Sequence, residues 1–216
     1  MVTIAIIGGT GPEGRGLGLR FAMAGHAVVL GSRDAGRATA AAQELLALWP
    51  GLSVAGAPNA AAANTAEWVV LSTPYDGLAP TVQALTPSLA GKLVISVVSA
   101  LTFQGGHPRP IEVPEGSAAQ QVAGLLPASQ VVSAFHHVSA HDLLAPGTEV
   151  EGDVIVCGDA DEAKGQVMTL VEQVRSLRAV DGGGLDNSRH SEALTALLLD
   201  LNRRYKTRTA VRLLGL

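Results

Sequence analysis

The sequence predicts an α/β chain built on a doubly wound, mostly parallel sheet with a small helical C-terminal part. Three observations carry that prediction. Short β-branched runs alternate with alanine-rich segments, the order that consecutive βαβ units require. Hydrophobic residues fill 47% of the 216 positions and charged residues only 16%, enough apolar surface for a sizeable core. Aromatic residues are scarce at 3%, which suits small-residue helices lying close on a buried sheet.

The elements follow in order. A strand over 2–7 (Val2-Thr3-Ile4-Ala5-Ile6-Ile7) leads into a helix over 12–24, then a strand over 27–31. The helix over 35–48 carries Ala38, Ala40, Ala41, Ala42 and Ala47, small side chains that allow close approach to the sheet. Strands near 52–55 and 67–72, a helix at 77–85 and a strand at 92–97 come next. Gly105-Gly106, Pro108, Pro110 and Pro114 then break regular structure, so 99–116 is read as a long loop over the sheet's edge or mouth. Beyond it lie a helix at 117–126, strands at 130–134 and 153–157, a helix at 160–174 and a strand at 177–180. Asp181-Gly182-Gly183-Gly184 ends that strand before a leucine-rich helix over 188–204. Right-handed crossovers would wind these units into one sheet.

Composition also excludes. The net charge of −4 gives no global attraction to nucleic acid. The single cysteine, Cys157, rules out an internal disulfide and a thiolate metal cluster, and its run Val154-Ile155-Val156-Cys157 is that of a buried strand. A strand pattern begins almost at the first Met, with no basic region ahead of it, and no stretch approaches the ~20 apolar residues that span a bilayer. A soluble, cytoplasmic protein is expected.

Residues 8–18 read Gly8-Gly9-Thr10-Gly11-Pro12-Glu13-Gly14-Arg15-Gly16-Leu17-Gly18, and Gly9 to Gly14 match G-x-G-x-x-G. The pattern follows an apolar strand, opens a helix and precedes a second strand, which is the setting of a Rossmann-type dinucleotide site. The turn needs Gly9, Gly11 and Gly14 for tightness, close backbone approach and helix packing. A pyrophosphate then sits at the helix N-terminus among free N–H groups. Pro12 suits the first turn, where a missing donor costs nothing. Residues 1–180 are accordingly assigned to the nucleotide-binding domain and 181–216 to a C-terminal helical segment.

The second strand ends at Gly31-Ser32-Arg33, with no Asp or Glu to bond an adenosine 2′-hydroxyl. Asp34 is placed to cap the next helix. Ser32, Arg33 and Arg37 instead offer a hydroxyl and two forked cations, an anion site suited to a 2′-phosphate. Arg33 and Arg37, four apart, are expected on one side of the helix's first turn. The expected ligand is NADP(H).

Ligands in such sheets lie outside the carboxyl ends of the strands. Ser72 and Thr73 end one strand and Ser99 follows another, placed for ribose or nicotinamide contact or serving as ordinary turn residues. His136 and His137 end a third; one is expected to face the pocket and the other to be packed or solvated. No metal site is expected, because no Asp- or Cys-rich partner set accompanies them. In the last helix Leu194, Leu197, Leu198 and Leu201 form an apolar stripe, suited to core or a dimer face. Asn187, Ser188 and Arg189 at its start are placed to meet an anionic or carbonyl-bearing substrate.

Taken with Phe135-His136, Asp153-Val154-Ile155-Val156-Cys157-Gly158-Asp159, Asn187-Ser188-Arg189 and Glu192-Ala193-Leu194-Thr195, these motifs give the chain a clear likeness. It resembles the NADPH-dependent coenzyme F420 reductases (F420:NADP oxidoreductases) over nearly its whole length. The resemblance implies reversible hydride transfer between NADP(H) and the deazaflavin F420, small-molecule cofactor substrates, and a homodimer built through the C-terminal helical part. It implies that Thr10, Pro12 and Glu13 line the dinucleotide turn and that Ser32, Arg33 and Arg37 hold the 2′-phosphate. His136, Arg189 and Thr195 would lie by the deazaflavin, with Leu197 in its apolar wall. The chain departs from the family pattern at Ala196, where a proline is expected, and in the basic run Arg203 to Arg208. Rival readings are an NADPH-dependent reductase of a flavin, ferric chelate or imine, and a non-catalytic NADP(H)-binding redox sensor.

Overall fold

A computed structural model describes residues 1–145 and 147–216. Ten strands and eight α-helices occur among these residues. The first half runs β1 (Thr3–Ile7), α1 (Pro12–Met23), β2 (Ala27–Ser32), α2 (Ala35–Leu48), β3 (Val54–Pro58), α3 (Asn59–Thr65), β4 (Trp68–Leu71), α4 (Leu78–Leu89) and β5 (Leu93–Ser96). The second half runs β6 (Leu101–Gln104), β7 (His107–Pro110), α5 (Ala118–Leu125), β8 (Gln130–Ser133), α6 (Ala140–Leu144), β9 (Gly152–Gly158), α7 (Asp161–Glu172), β10 (Leu177–Asp181) and α8 (Ser188–Tyr205).

Eight strands form one sheet in the order β10-β9-β8-β5-β4-β1-β2-β3. Every neighbouring pair is parallel except β8 with β9. Alternation along the strands builds a core on each face: Ile4 and Ile6 pack with Leu17, Phe21 and Leu45 on one side. Ala5 and Ile7 pack with Ala62, Leu78 and Val82 on the other. The expected Rossmann-type doubly wound sheet is present.

Three details differ from the sequence reading. The strand expected at 52–55 runs Val54–Pro58, because Gly56 lets it lie against α2; a Cβ there would come 2.2 Å from the Ala38 carbonyl oxygen. The segment 99–116 is not wholly loop: β6 and β7 pair antiparallel across Gly105 (φ 57) and Gly106 (φ 79), both glycines in the left-handed region that a tight hairpin turn demands. Pro108 and Pro110 are tolerated there because this two-strand sheet is all edge. The helices α3 and α6 are not legible in the sequence because each is too short to show an apolar period.

The C-terminal helix α8 packs on β7 and α5, and the chain after it returns to the N-terminal ends of β9 and β10. There the Asp153 N–H donates to the Val211 carbonyl at 2.8 Å, and Arg178 clamps the Asp153 carboxylate at 2.9 and 2.6 Å. No helix among the described residues is long and apolar enough to cross a membrane.

Candidate active site

The glycine turn is fixed by backbone geometry. Gly9 N–H donates to the carbonyls of Ile6 at 3.1 Å and Gly31 at 2.9 Å, which brings the ends of β1 and β2 to one level. Gly8 adopts φ 77, and a Cβ there would meet the Ser72 carbonyl oxygen at 2.7 Å, so Ser72 and Thr73 are packed directly on the turn. A Cβ on Gly14 would stand 2.7 Å from Gly9 Cα, and one on Gly9 2.7 Å from the Ile6 oxygen. Gly11 is different. It caps α1 at φ −74 and ψ 165, and its Cβ would meet only the Gly8 oxygen at 3.7 Å. Nothing among the described residues demands glycine at Gly11, whereas a pyrophosphate drawn against the turn would. The turn fits a dinucleotide.

At the end of β2, Ser32 is buried and its hydroxyl accepts the Asp34 N–H at 3.2 Å. Asp34 caps α2 by accepting the Arg37 N–H at 3.0 Å, as its position led us to expect. Arg33 precedes that cap, so it is not on the helix face with Arg37 as its spacing had suggested; both guanidinium groups are nevertheless exposed at this strand end. Arg37 lines a cavity of about 200 Å³ with Thr10, Arg15 and Glu44. Arg15, missed in the sequence, forms a 3.0 Å ion pair with Glu44, while its Nε has no partner.

Buried polar atoms without hydrogen-bond partners trace the crevice. Among the described residues they include Asn59 Oδ1 after β3, Thr73 Oγ1 after β4 and Ser96 Oγ at the end of β5. Glu13 Oε1 and Arg15 Nε at the start of α1, Gln120 Oε1 in α5 and both His136 ring nitrogens complete the set along these strand ends. Buried polar groups are normally satisfied. A row of unsatisfied ones at the carboxyl ends of adjacent strands is the imprint expected of a long polar ligand.

Past β8 the chain turns sharply at Phe135 (φ 66), whose ring packs edge-on to Phe21 at 5.6 Å. His137 is buried, and its Nε2–H donates to the Ser191 carbonyl at 2.7 Å, which fixes that tautomer. Burial pushes the His136 imidazole down to about 3, so it stays neutral. Of the two histidines, His137 is committed to Ser191, whereas His136, with the Val98 backbone beside it, makes no well-formed side-chain hydrogen bond among the described residues.

Helix α8 is joined to this segment by hydroxyl chemistry. Thr195 Oγ1 lies 3.2 Å from the His136 carbonyl and shares a 3.0 Å hydrogen bond with Ser99 Oγ. Ser188 is fully buried; it donates to the Leu185 carbonyl at 2.6 Å and shares a 2.8 Å bond with Ser133. Its hydroxyl pins α8 to β8 rather than facing the crevice. Asn187 Nδ2 donates to the Gly182 carbonyl and stabilises the glycine turn before the helix. Arg189 is exposed, anchored through Nε to the Asp186 carbonyl at 2.8 Å, and its guanidinium reaches the side of Gly116 near the start of α5. Glu192, quoted in the sequence only as part of a motif, is buried and accepts N–H bonds from Ala118 at 3.0 Å and Ala119 at 3.1 Å. It also lies 3.4 Å from the Ala100 nitrogen, so one carboxylate locks α8 onto α5 and the β5 exit.

Residues 3–100 match the model of the family described as NADP oxidoreductase coenzyme F420-dependent. An F420-dependent NADP reductase of Methanocaldococcus jannaschii is 39% identical over 99% of this chain and 98% of its own length. Another, from Methanothermobacter marburgensis, is 37% identical over 96% of this chain and 95% of its own. This chain belongs to the F420-dependent NADP reductase family. The family assignment extends to three dimensions: a crystal structure from Arthrobacter, provisionally described as an F420-dependent NADP reductase, superposes over 100% of both chains with a TM-score of 0.86 and 27% identity.

As a member of the F420-dependent NADP reductase family, the chain keeps helix α8 continuous through Ala196, the position where the sequence departs from the family pattern. Leu197 is 54% exposed on the outer side of that helix. The basic run is partly engaged: Arg203 donates to the Gly106 carbonyl at 2.8 Å, and Arg208 pairs with Asp142 at 2.7 Å.

Proposed function

We propose that the protein transfers a hydride reversibly between NADP(H) and coenzyme F420. The near-full-length likeness to F420-dependent NADP reductases carries this reading, and the buried polar atoms without protein partners along the crevice support it. The bound cofactors supply the redox chemistry themselves; the protein supplies binding, alignment and a dry site.

The residues divide that work by position. Gly9, Gly11 and Gly14 open the turn, Thr10 and Pro12 edge it, and the first-turn N–H groups of α1 receive the pyrophosphate. Ser32, Arg33 and Arg37 bind the 2′-phosphate. Ser72, Thr73 and Ser99 border the ribose and nicotinamide side, with Glu13 above them. His136 and Arg189 face the acceptor and donate toward the carbonyl where negative charge builds. Thr195 holds the His136 backbone in place, and Asn187 and Ser188 fix the start of α8. In this reading residues 181–216 carry the acceptor side and the contact to a second copy, with Leu197 shared between an apolar wall and that contact.

NADPH oxidation followed with F420, and in parallel with flavins and ferric salts, tests the reading. Turnover with F420 alone is expected. Turnover only with the other acceptors, or tight NADP(H) binding without any turnover, overturns it. Arg189→Ala should lower kcat at least about tenfold while NADPH affinity holds within about twofold. Equal losses in both would remove Arg189 from the acceptor side.

A further inference from the structure

Glu13 is the crevice carboxylate with a buried, unpartnered oxygen. Its Oε1 is shut off from solvent and has no hydrogen-bond partner among the described residues. Helical geometry gives its direction. At about 100° per residue it lies roughly 20° from Arg20 and 40° from Leu17, between Gly16 on one flank and Phe21 on the other. Gly16 abuts the Ala140 carbonyl and Leu143, and Phe21 meets Phe135. Glu13, at the N-terminal end of this stripe and nearest the crevice, therefore looks onto the segment between Phe135 and Ala140, where His136 keeps both ring nitrogens unpartnered.

The charges around that spot are turned elsewhere. On α1, Arg15 pairs with Glu44, and Arg20 donates to the carbonyls of Asp142, Leu143, Ala145 and Thr148. On α6, His141 stands 3.7 Å from Asp142, which is also held by Arg208. After β8, His136 is neutral and His137 is bonded to Ser191. Burial with no charge to offset it pushes the Glu13 carboxyl up to about 8.

We propose that Glu13 is a proton-linked discriminator of the nicotinamide redox state, protonated beside the neutral reduced ring and ionised beside the cationic oxidised ring. The proposal rests on the dinucleotide reading above, with the 2′-phosphate at β2 and the nicotinamide on the β4, β5 and β8 side of α1. A cation entering a low-dielectric pocket favours the charged form of a nearby carboxyl, and a neutral ring does not. The proton count then balances. Hydride leaves the reduced ring for F420, which also takes one proton; Glu13 gives up one proton as the ring becomes cationic and regains it from solvent when NADP⁺ departs.

Dissociation constants for NADP⁺ and NADPH, measured by calorimetry in buffers of different ionisation enthalpy, test this. The 2′-phosphate, with a second ionisation at about 6, affects both ligands alike, so the ratio of the two constants isolates the ring. In the native chain that ratio, NADP⁺ over NADPH, should fall about tenfold or more between about pH 7 and about pH 9, with proton release on NADP⁺ binding. In Glu13→Gln and Glu13→Leu it should be flat. Infrared difference spectra of the native chain should lose a protonated carboxyl band on adding NADP⁺ but not NADPH, a readout that stands if the variants fail to fold. A flat ratio in the native chain, a slope that survives in both variants, or an unchanged carboxyl band overturns the proposal. A native chain that binds neither nucleotide sinks the dinucleotide reading beneath it as well.

Discussion

Gly11 and Gly14 stand three residues apart in one turn and are glycine for different reasons. Gly14 has no room for a Cβ against Gly9, so its side chain is excluded by the fold itself. Gly11 has room and an ordinary φ, so in the function proposed above it is the ligand that leaves no place for a side chain. Gly11→Ala should fold with a stability loss of about 1 kcal/mol or less by thermal unfolding, the scale of a weakened helix cap. Its NADP(H) affinity should nevertheless fall about tenfold or more in a binding titration. Gly14→Ala should instead cost about 1–3 kcal/mol of stability, because packed backbone must shift. Unchanged nucleotide affinity in Gly11→Ala would take the pyrophosphate away from this turn. Ser188 teaches the converse: a polar residue at a helix start was expected to meet substrate, yet its hydroxyl is fully used inside the protein.

At the scale of elements, two buried charges do what sequence periodicity cannot. Arg20 projects from α1 and gathers four backbone carbonyls from α6 and the residues after it, at distances from 2.6 to 3.1 Å. Five residues are too few for α6 to be stable alone. Its position over α1, and with it the floor under Ser139 and Ala140, depends on that guanidinium. Arg20→Met should cost about 3–5 kcal/mol in chemical denaturation, since it strands several carbonyls that lose a charged donor. Hydrogen exchange in α6 should accelerate more than in β1. A loss of under about 1 kcal/mol would show that the segment holds itself in place. Glu192 plays the corresponding part for α8, with its carboxylate across the N-terminus of α5 and the β5 exit. Its burial raises the carboxyl's pKa, while the backbone N–H donors pull the other way.

For the whole molecule, the apolar stripe of α8 is only half covered. Leu197 and Leu199 are exposed, as is Phe103 on the β6–β7 hairpin, while Leu194, Leu198 and Leu201 are partly buried. With the homodimer proposed above, sedimentation should give about twice the chain mass of 22.0 kDa. Leu197→Arg should shift the species toward monomer and weaken turnover with F420 more than NADPH binding. A native chain that sediments as a monomer at assay concentration would remove the second copy from the site.

Sequence alone determined the layer architecture and the glycine turn that opens the crevice. Strand alternation, the run Gly9 to Gly14, the missing acid after Gly31 and the cap at Asp34 all act over a few neighbouring residues, so their spacing is visible in one dimension. The likeness of its C-terminal motifs supplied the expected acceptor. Only the tertiary structure decided what depends on contacts between distant segments. It paired β8 with β9 antiparallel, folded 101–110 into a hairpin, and moved β3 forward to where Gly56 clears Ala38. It also separated the histidines, tying His137 to Ser191 and leaving His136 without a well-formed side-chain hydrogen bond, and among the described residues it left Glu13 Oε1, Arg15 Nε and Asn59 Oδ1 unsatisfied. Burial and hydrogen-bond satisfaction are sums over surroundings brought together by folding, and no local pattern encodes them.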